Sequence, residues 1–393
     1  MQNKMRALKS FLISRLFFVP MQFLWYNLKM ITELYTLKNG YKFLENNQIQ
    51  FIFDLSNFDD KHLKSIKNPS VFIAGTFNSW NFKCDKNWEL QQESSTTYIL
   101  TKDLSEVTIP GNSGYPEFRF YTKNRDKTVI FAEKRDEPSF QDNNVILQTQ
   151  EEYDILQPLV KKLKIKSKKD FDLSLLEDRR KLSNVRLVPG TKVLYRGYHP
   201  YKKSRPELDT ENVRLKLVKK AFEELSINCD ITLCGKEKPN FWKGEKKSSR
   251  MKSIEKKNNR LWVDIEYNLV YYNPDSEEFG KVLQEIGRFF IEKDGPFYIH
   301  CRLGSDRTGV ISSIFASLAG ATWEEIATDY EKTANMGTGE VRNSEFLAFS
   351  LTKMIKKSPK VSENLSADFR KYFVDKGILS ETELDKLVAK LKG

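Results

Sequence analysis

The sequence predicts a two-domain α+β protein, in which an immunoglobulin-like β-sandwich precedes an α/β domain with a central sheet flanked by helices. Two observations predict this order. Residues 41–150 contain short β-prone runs separated by turn residues, a pattern typical of a sandwich of about 100 residues. Later, the apolar run 296–299 predicts a buried strand, and residues 307–318 follow it with a helical pattern. A strand that leads through a short loop into a helix is a unit of an α/β domain.

The other segments are assigned from composition. Residues 1–40 are apolar and aromatic, but an arginine and a proline interrupt the run, so it is too short and broken for a membrane-spanning helix. We expect it to pack on a domain or to associate weakly with a membrane surface, and a secretion or targeting signal is the alternative. Residues 151–183 predict a basic linker, residues 184–355 the α/β domain, and residues 356–393 a C-terminal helical tail.

The 393 residues carry a formal net charge of +12, and two basic runs, 161–169 and 243–260, concentrate it. A basic surface attracts polyanions such as phosphoinositides, inositol phosphates or phosphoglucans, although a solvated face without a partner is the common alternative. No recognised nucleic-acid-binding fold is visible, so no nucleic-acid partner is expected. Four cysteines and three histidines without metal-ligand spacing predict no metal site, and no cofactor-binding loop is visible.

The most informative residues, 300–309, lie between the predicted strand and the predicted helix. His300 and Cys301 end the apolar run, and Arg-Thr-Gly begins the helical pattern. Backbone N–H groups of the intervening loop, at a helix N-terminus, would bind a phosphate dianion. The same positive end favours the thiolate of Cys301, and the fork of Arg307 can hold two phosphate oxygens. Gly304 permits the tight bend. The layout predicts a thiolate that attacks phosphorus, and a buried structural cysteine is the alternative.

Over about residues 184–350 the chain resembles the cysteine-dependent phosphatase superfamily, which includes tyrosine and dual-specificity phosphatases. The resemblance implies a cysteinyl-phosphate intermediate on Cys301, with Arg307 binding the phosphoryl group. It also implies that Thr308 stabilises the leaving thiolate and that His300 supports the loop from behind. Four further residues would complete the phosphate-binding loop: Arg302, Leu303, Gly304 and Ser305.

The general acid has three candidates. Cleavage of a phosphate ester requires a proton for the leaving oxygen, which a carboxylic acid within hydrogen-bond reach supplies. Asp306 lies inside the loop, where bacterial members of the superfamily carry an acid, and we rank it first. Asp275 lies slightly closer to Cys301 than the usual upstream acid and ranks second, with a helix N-terminal role as its alternative. Asp264 lies further upstream and ranks third.

Cys234 ends a run, 231–234, that predicts a central strand of the same sheet. In the lipid-phosphatase branch of the superfamily, a cysteine at this place can form a reversible disulfide with the catalytic cysteine, which would protect the thiolate from irreversible oxidation. A small buried apolar side chain is an equally good interpretation. A working catalytic thiolate fits a reducing compartment, so we expect the chain in the cytoplasm.

Residues 71–80 resemble the Gly-x-Phe-Asn-x-Trp signature of glycogen-binding modules, carbohydrate-binding module family 48, as in the AMP-activated kinase β subunit. The resemblance implies that Trp80 stacks on a sugar face and that Arg119 and Asn144 hydrogen-bond an α-glucan such as glycogen. The second stacking tryptophan of that family is missing from residues 123–128. A purely structural or docking sandwich is the alternative, since an aromatic side chain can equally fill a core.

We therefore expect an enzyme that hydrolyses phosphate monoesters, on phosphotyrosine or dual-specificity protein substrates or on polyanionic phosphoglucans and phosphoinositides. The alternative is a catalytically silent protein that uses the same loop to bind a phosphorylated ligand, or the sandwich to bind a glycan. The sandwich would locate either protein on its partner.

Overall fold

The structure is a computed structural model. It describes six stretches of the chain: residues 40–57, 69–124, 127–131, 144–163, 165–235 and 247–393. The prediction for the N-terminal apolar segment lies outside these residues. Within them, no helix combines the length and the apolar composition needed to cross a membrane.

Two antiparallel sheets form the N-terminal module. The first sheet has the order β1-β2-β5-β4, and in the second β6 pairs with β3, β7 and β8. Their strands are β1 (Tyr41–Leu44), β2 (Gln48–Asp54), β3 (Phe72–Gly75), β4 (Gln91–Gln92), β5 (Thr97–Asp103), β6 (Glu117–Asn124), β7 (Lys127–Ile130) and β8 (Val145–Ile146).

Alternation of side chains explains how these sheets pack. Along β2, Ile49, Phe51 and Phe53 are buried, whereas the residues between them are half-buried. Successive side chains on a strand point to opposite faces, so β2 presents one apolar face to a core. Phe118 and Phe120 of β6 join the same core from the second sheet. The immunoglobulin-like topology stays a prediction.

The second part of the chain contains a five-stranded sheet of order β12-β11-β13-β10-β9. Its strands are β9 (Arg186–Leu187), β10 (Leu194–Gly197), β11 (Cys229–Thr232), β12 (Arg260–Trp262) and β13 (Phe297–His300). All neighbours are parallel except β9, which pairs antiparallel with β10 at one edge. The central strand β13 is buried throughout, as expected for a strand covered by helices on both faces.

Helices flank this sheet and connect its strands. They are α1 (Gln150–Lys162), α2 (Leu176–Ser183), α3 (Glu211–Glu224), α4 (Ser249–Lys256), α5 (Tyr267–Tyr272), α6 (Glu277–Glu292), α7 (Asp306–Leu318), α8 (Trp323–Glu331), α9 (Ser344–Ile355), α10 (Leu365–Asp375) and α11 (Glu381–Lys392). This confirms the mixed helix and sheet composition predicted for the second part of the chain.

Two segments differ in detail from the pattern-based assignments. Residues 151–183, interpreted as a linker, contain most of α1 and all of α2. Helices α10 and α11 of the tail pack against α7 and α6, and their apolar side chains, Phe369 and Leu387 among them, belong to the same core as the central sheet. The tail is thus part of the packed domain.

Candidate active site

The loop between β13 and α7 lies at the carboxyl edge of the sheet. Strand β13 ends at His300 and α7 begins at Asp306, one residue away from the predicted boundaries. Gly304 has φ +75°, and a Cβ on it would lie 2.0 Å from the carbonyl oxygen of Gly197. Both the backbone conformation and the close approach to β10 therefore require glycine at this position.

Side chains and amides from outside the loop bind its carbonyl groups. The Arg302 carbonyl accepts from the His199 amide (3.1 Å) and the Ser204 hydroxyl (3.2 Å). The Leu303 carbonyl accepts from the side-chain amide of Asn184 at 3.0 Å. Among the described residues, no hydrogen bond uses a backbone N–H of residues 302–305 as donor. With the carbonyls bound outward, these N–H groups remain for an anion.

A buried ion network fixes the loop from the β10 side. Arg196, which is fully buried, donates to the Gly304 carbonyl at 2.8 Å and to the Ser305 carbonyl at 3.2 Å. Its other terminal nitrogen binds Asp329 at 2.8 Å. Burial lowers the pKa of Arg196 to about 10, with the Asp329 charge opposing, so the guanidinium remains charged at neutral pH. Sequence reasoning missed this role, although a lone arginine in the apolar run of β10 was a signal.

His300 is the last residue of β13, directly before the loop, and its predicted role as a support of the loop stays a prediction. Its Nε2 is 3.1 Å from Asp230 Oδ1 and 3.1 Å from the Thr232 hydroxyl, and its Nδ1 is 3.2 Å from the Cys301 carbonyl oxygen. All of these side chains except Cys301 are fully buried. The imidazole thus links two strands of the sheet to the first residue of the loop.

Cys301 is a buried thiol with a lowered pKa. Burial by itself raises the pKa of the thiol, but the charge of Arg307 and the nearby hydroxyl and amide of Thr308 outweigh burial. The charge of Asp306 opposes them. The thiolate is therefore the favoured form over a wider pH range than for an ordinary cysteine.

Arg307 is held at the carboxyl ends of β11 and β12. One terminal nitrogen donates to the carbonyls of Leu233 (3.1 Å) and Ile265 (3.2 Å). Burial lowers its pKa, but the charges of Cys301 and Cys234 raise it, and the net shift is upward. Both sulfurs are therefore close enough to Arg307 to interact with its charge. No carboxylate pairs with Arg307 among the described residues.

Cys234 lies two residues beyond the end of β11, which stops at Thr232 instead of continuing through residue 234. It is half-buried and forms an isolated antiparallel bridge with Asp264. All four cysteines of the chain lie in the described residues and are thiols. The redox partnership of Cys234 with Cys301 stays a prediction.

Asp306 is clamped at the first turn of α7. Arg342 approaches both carboxylate oxygens, with Nε 3.0 Å from Oδ1 and Nη2 3.0 Å from Oδ2. The Tyr271 hydroxyl donates to Oδ1 at 3.2 Å. Arg342 is itself buried and also binds Glu340 at 2.7 Å. Sequence reasoning missed Arg342, because no local motif connects it to a loop 36 residues earlier in the chain.

The other two acids are in different settings. Asp275 binds Lys356 at 2.6 Å and Lys376 at 2.8 Å. Burial raises the pKa of Asp275, but these two ammonium groups outweigh burial and lower it. Asp264 is exposed, lies against Gly235, and has no hydrogen bond or ion pair with the described residues. Asp264 precedes Ile265 in sequence and bridges Cys234, the neighbour of Leu233. It therefore lies next to the two residues whose carbonyls bind Arg307.

The three residues predicted to bind carbohydrate do not share one contact: Trp80 packs on apolar side chains, whereas Arg119 and Asn144 bind each other. Trp80 is half-buried and packs against the core of the second domain. Arg119 Nε donates to Asn144 Oδ1 at 2.5 Å, and Asn144 donates to Glu117 at 2.8 Å. Glucan binding by these residues stays a prediction. Among the described residues, no group of three or more His, Cys, Asp or Glu side chains could hold a metal ion.

A thiol with a lowered pKa, unbonded loop amides at a helix N-terminus and an arginine without a carboxylate partner among the described residues are the features expected of a phosphate-ester site. Comparison with known proteins agrees. The model of the tyrosine phosphatase family matches residues 176–392, which is more than half of the chain, so this protein belongs to the tyrosine phosphatase family. The match takes in α2 and the two C-terminal helices as well as the loop.

A tyrosine-protein phosphatase of Nostoc commune is 34% identical over 68 residues, which are 17% of this chain and 22% of that relative. The match thus spans about a fifth of the length of the relative. Family membership supports phosphatase activity in general, and the glycogen-binding resemblance of the N-terminal module rests on the sequence motif.

Proposed function

We propose that this protein hydrolyses phosphate monoesters through a cysteinyl-phosphate intermediate on Cys301. The observation that carries the proposal is the placement of this buried thiol at the base of a loop whose amides are unbonded, near the charge of Arg307, which lowers the pKa of the thiol. The Cys301 thiolate attacks phosphorus, a sulfur–phosphorus bond forms, and the bond to the leaving oxygen breaks as that oxygen takes a proton. Water then attacks the phosphorus, releasing phosphate and the thiolate, which Thr308 and Arg307 stabilise.

We assign the proton for the leaving oxygen to Asp306. Its charge opposes the thiolate of Cys301, which puts the carboxyl close to the sulfur, and Arg342 and Tyr271 orient it.

Asp264 is the second candidate, and one observation favours it. Arg342 contacts both carboxylate oxygens of Asp306, which leaves less of that carboxyl free to reach a leaving oxygen. Asp264 has no such pair among the described residues, is exposed, and lies at the edge where Arg307 is anchored. Asp275 is unsuited to the role because two lysines lower its pKa.

Exposed basic residues next to the loop favour a substrate that carries negative charge beyond the transferred phosphate. Arg302 is exposed on the loop, and its guanidinium reaches the Ser204 carbonyl at 3.2 Å. Lys203, the neighbour of Ser204, is also exposed. Phosphoinositides, phosphorylated glucans and phosphotyrosine in an acidic peptide satisfy this requirement, because each places further anionic groups near the scissile phosphate.

Phosphate release from a substrate panel tests the proposal. The panel contains p-nitrophenyl phosphate, a phosphotyrosine peptide, phosphoinositides and phosphorylated amylopectin. Cys301→Ser is expected to abolish turnover and to retain binding of the phosphorylated ligand, because Arg307 and the loop amides are unchanged. Retention of more than about a tenth of the wild-type activity would contradict a thiolate mechanism.

Cys229→Ser is the matched control. Burial raises the pKa of the Cys229 thiol to about 12, so it stays protonated, and a serine hydroxyl can replace its hydrogen bond to the Asp294 carbonyl. This variant is expected to keep its activity. Absence of turnover in the wild type on every substrate, with the loop still binding phosphate, would favour the catalytically silent phospho-ligand protein instead.

A further inference from the structure

The loop that carries the glycogen-binding signature lies against the phosphatase domain. Trp80 packs on the apolar core of that domain, and the side-chain amide of Asn268, on α5, reaches the Ser79 carbonyl at 3.5 Å. Burial raises the pKa of Tyr272, the last residue of α5, and the nearby charge of Glu117 adds to this. Tyr272 belongs to the apolar core on which Trp80 packs, so the N-terminal module reaches both ends of α5.

A second contact comes from the turn over residues 111–115 of the same module. Glu117, which is buried, accepts hydrogen bonds from the amide and the hydroxyl of Ser113, each at 2.8 Å. The turn presents the Asn112 carbonyl to the backbone N–H of Asn343 at 3.0 Å. Gly114 lies so close that a Cβ there would be 2.6 Å from the side-chain nitrogen of Asn343.

Each contact involves a residue on a segment that also binds Asp306. Tyr271 of α5 donates to the Asp306 carboxylate, and Arg342, the neighbour of Asn343, binds both of its oxygens. The module therefore contacts both segments that hold this carboxylate: helix α5 through Asn268, and the segment that contains Arg342 through Asn343.

Helix α5 depends on such neighbours for its position. It has six residues, and a helix of this length is not stable without tertiary packing. From within the phosphatase domain, Ser350 and Lys353 bind its carbonyls at 2.6 and 2.7 Å, and Phe346 stacks on Tyr271 with ring centroids 3.8 Å apart. The N-terminal module supplies contacts at Asn268 and Tyr272.

We infer that the N-terminal module is a positioning element of the active site. The loop that carries Trp80 packs against α5, and the turn that carries Asn112 binds Asn343, the neighbour of Arg342. These contacts fix Tyr271 and Arg342, which in turn orient Asp306. The inference rests on the proposed function of Asp306. It also assigns a partner to the signature loop, because the part of the indole that packs on the phosphatase core is not open to a sugar. In the full chain, the partner of this surface is the phosphatase domain.

A double-mutant cycle in the full-length chain tests the inference. Trp80→Ala is expected to lower kcat about tenfold with little change in KM, since misplacement by a fraction of an ångström has effects of this order. In an Asp306→Asn background the same change is expected to cost less than about twofold, because residues that act through one group are not additive. Trp80→Phe, which keeps an aromatic ring, should restore most of the activity.

Gly114→Ala is a second, independent test of the inference, and Gly377→Ala is its matched control. Gly114→Ala places a methyl group against Asn343, whereas Gly377→Ala meets nothing within 4 Å, and both positions have positive φ (+90° and +63°). Gly114→Ala is expected to lower kcat as Trp80→Ala does, and Gly377→Ala is not. Hydrogen exchange should become faster in α5 and at Asn343 in Trp80→Ala and Gly114→Ala alone.

The hydrogen-exchange measurement separates the inference from the proposed function, because it does not require turnover. If the wild-type protein shows no activity that depends on Cys301, the proposed function is refuted. Faster exchange at α5 in Trp80→Ala and Gly114→Ala would still support the contact between the N-terminal module and the phosphatase domain. The inference is overturned if a folded Trp80→Ala variant keeps wild-type kcat and exchange, or loses the same factor in both backgrounds. Co-sedimentation of the full chain with glycogen that depends on Trp80 would also overturn it.

Discussion

Replacement of Gly304 by alanine tests whether the backbone of the loop, and not its side chains alone, builds the site. The new Cβ would lie 2.0 Å from the Gly197 carbonyl oxygen and 2.4 Å from the carbonyl carbon. Gly197 cannot retreat easily, because it pairs with His300 in the register between β10 and β13. The loop must therefore move away from β10.

The size of the movement follows from the contact distance. Real Cβ atoms stay at least 3.0 Å from such atoms, so the loop must shift by about 1 Å, and a misplacement of that size in reacting geometry costs on the order of 100-fold. We expect kcat/KM for p-nitrophenyl phosphate to fall by about this factor or more. Arg196 would lose its bond to the displaced Gly304 carbonyl as well.

Gly377→Ala is the control for backbone strain. Gly304 and Gly377 have similar φ values, +75° and +63°, and an L-residue in this region costs about 1–2 kcal/mol at either position. Because nothing lies within 4 Å of a Cβ on Gly377, this variant should lose stability and keep its activity. A Gly304→Ala variant that is folded by circular dichroism and keeps more than about a third of the wild-type kcat/KM would refute the reasoning.

Three further predictions concern the same site. If Asp306 donates the proton, Asp306→Asn lowers kcat by about 10² to 10⁴ on alkyl phosphates and less on p-nitrophenyl phosphate, whereas Asp264→Asn has a small effect; the reverse order would move the role to Asp264. Because the pKa of Cys301 is lowered from its ordinary value of 9.0, its ultraviolet thiolate signal should persist below that pH, and Thr308→Val should shift the signal and the acidic limb of kcat/KM upward. Arg302→Ala should raise KM several-fold for phosphoinositides but not for p-nitrophenyl phosphate, as expected for loss of one rim charge.

The part of the site that is contiguous in the sequence could be predicted from it. Cys301, Arg307 and Gly304 fall within seven residues, and the function of a phosphate loop depends on their spacing and on the strand and helix at its ends. A local pattern of this kind is independent of how the rest of the chain folds. The structure accordingly places strand, loop and helix within one residue of the predicted boundaries.

The residues that hold the loop could not be predicted in the same way. Arg196 and Arg342 reach the loop from 108 and 36 residues away in sequence, and pairing over such distances leaves no periodic signal. A single sequence also does not reveal which side chains are exposed: Trp80 resembles a residue of a sugar-binding signature, yet it is half-buried and packs against both its own module and the core of the second domain. The order of the strands within the two N-terminal sheets could not be predicted for the same reason, because strand pairing depends on contacts between segments that are far apart in sequence.

The distribution of charge around the loop would favour a second anion beside the thiolate. Behind the loop the buried cation is neutralised, since Arg196 binds Asp329 at 2.8 Å. On the substrate side, Arg307 donates to two carbonyl groups and has no carboxylate partner among the described residues. A carbonyl supplies a dipole but no net charge, so the full charge of Arg307 remains to act on Cys301 and on a bound phosphate. A carboxylate paired with Arg307 would remove the attraction that lowers the pKa of the thiol. The anchoring of this arginine by backbone oxygens therefore fixes its position and leaves its charge free to act on the thiol, as the proposed mechanism requires.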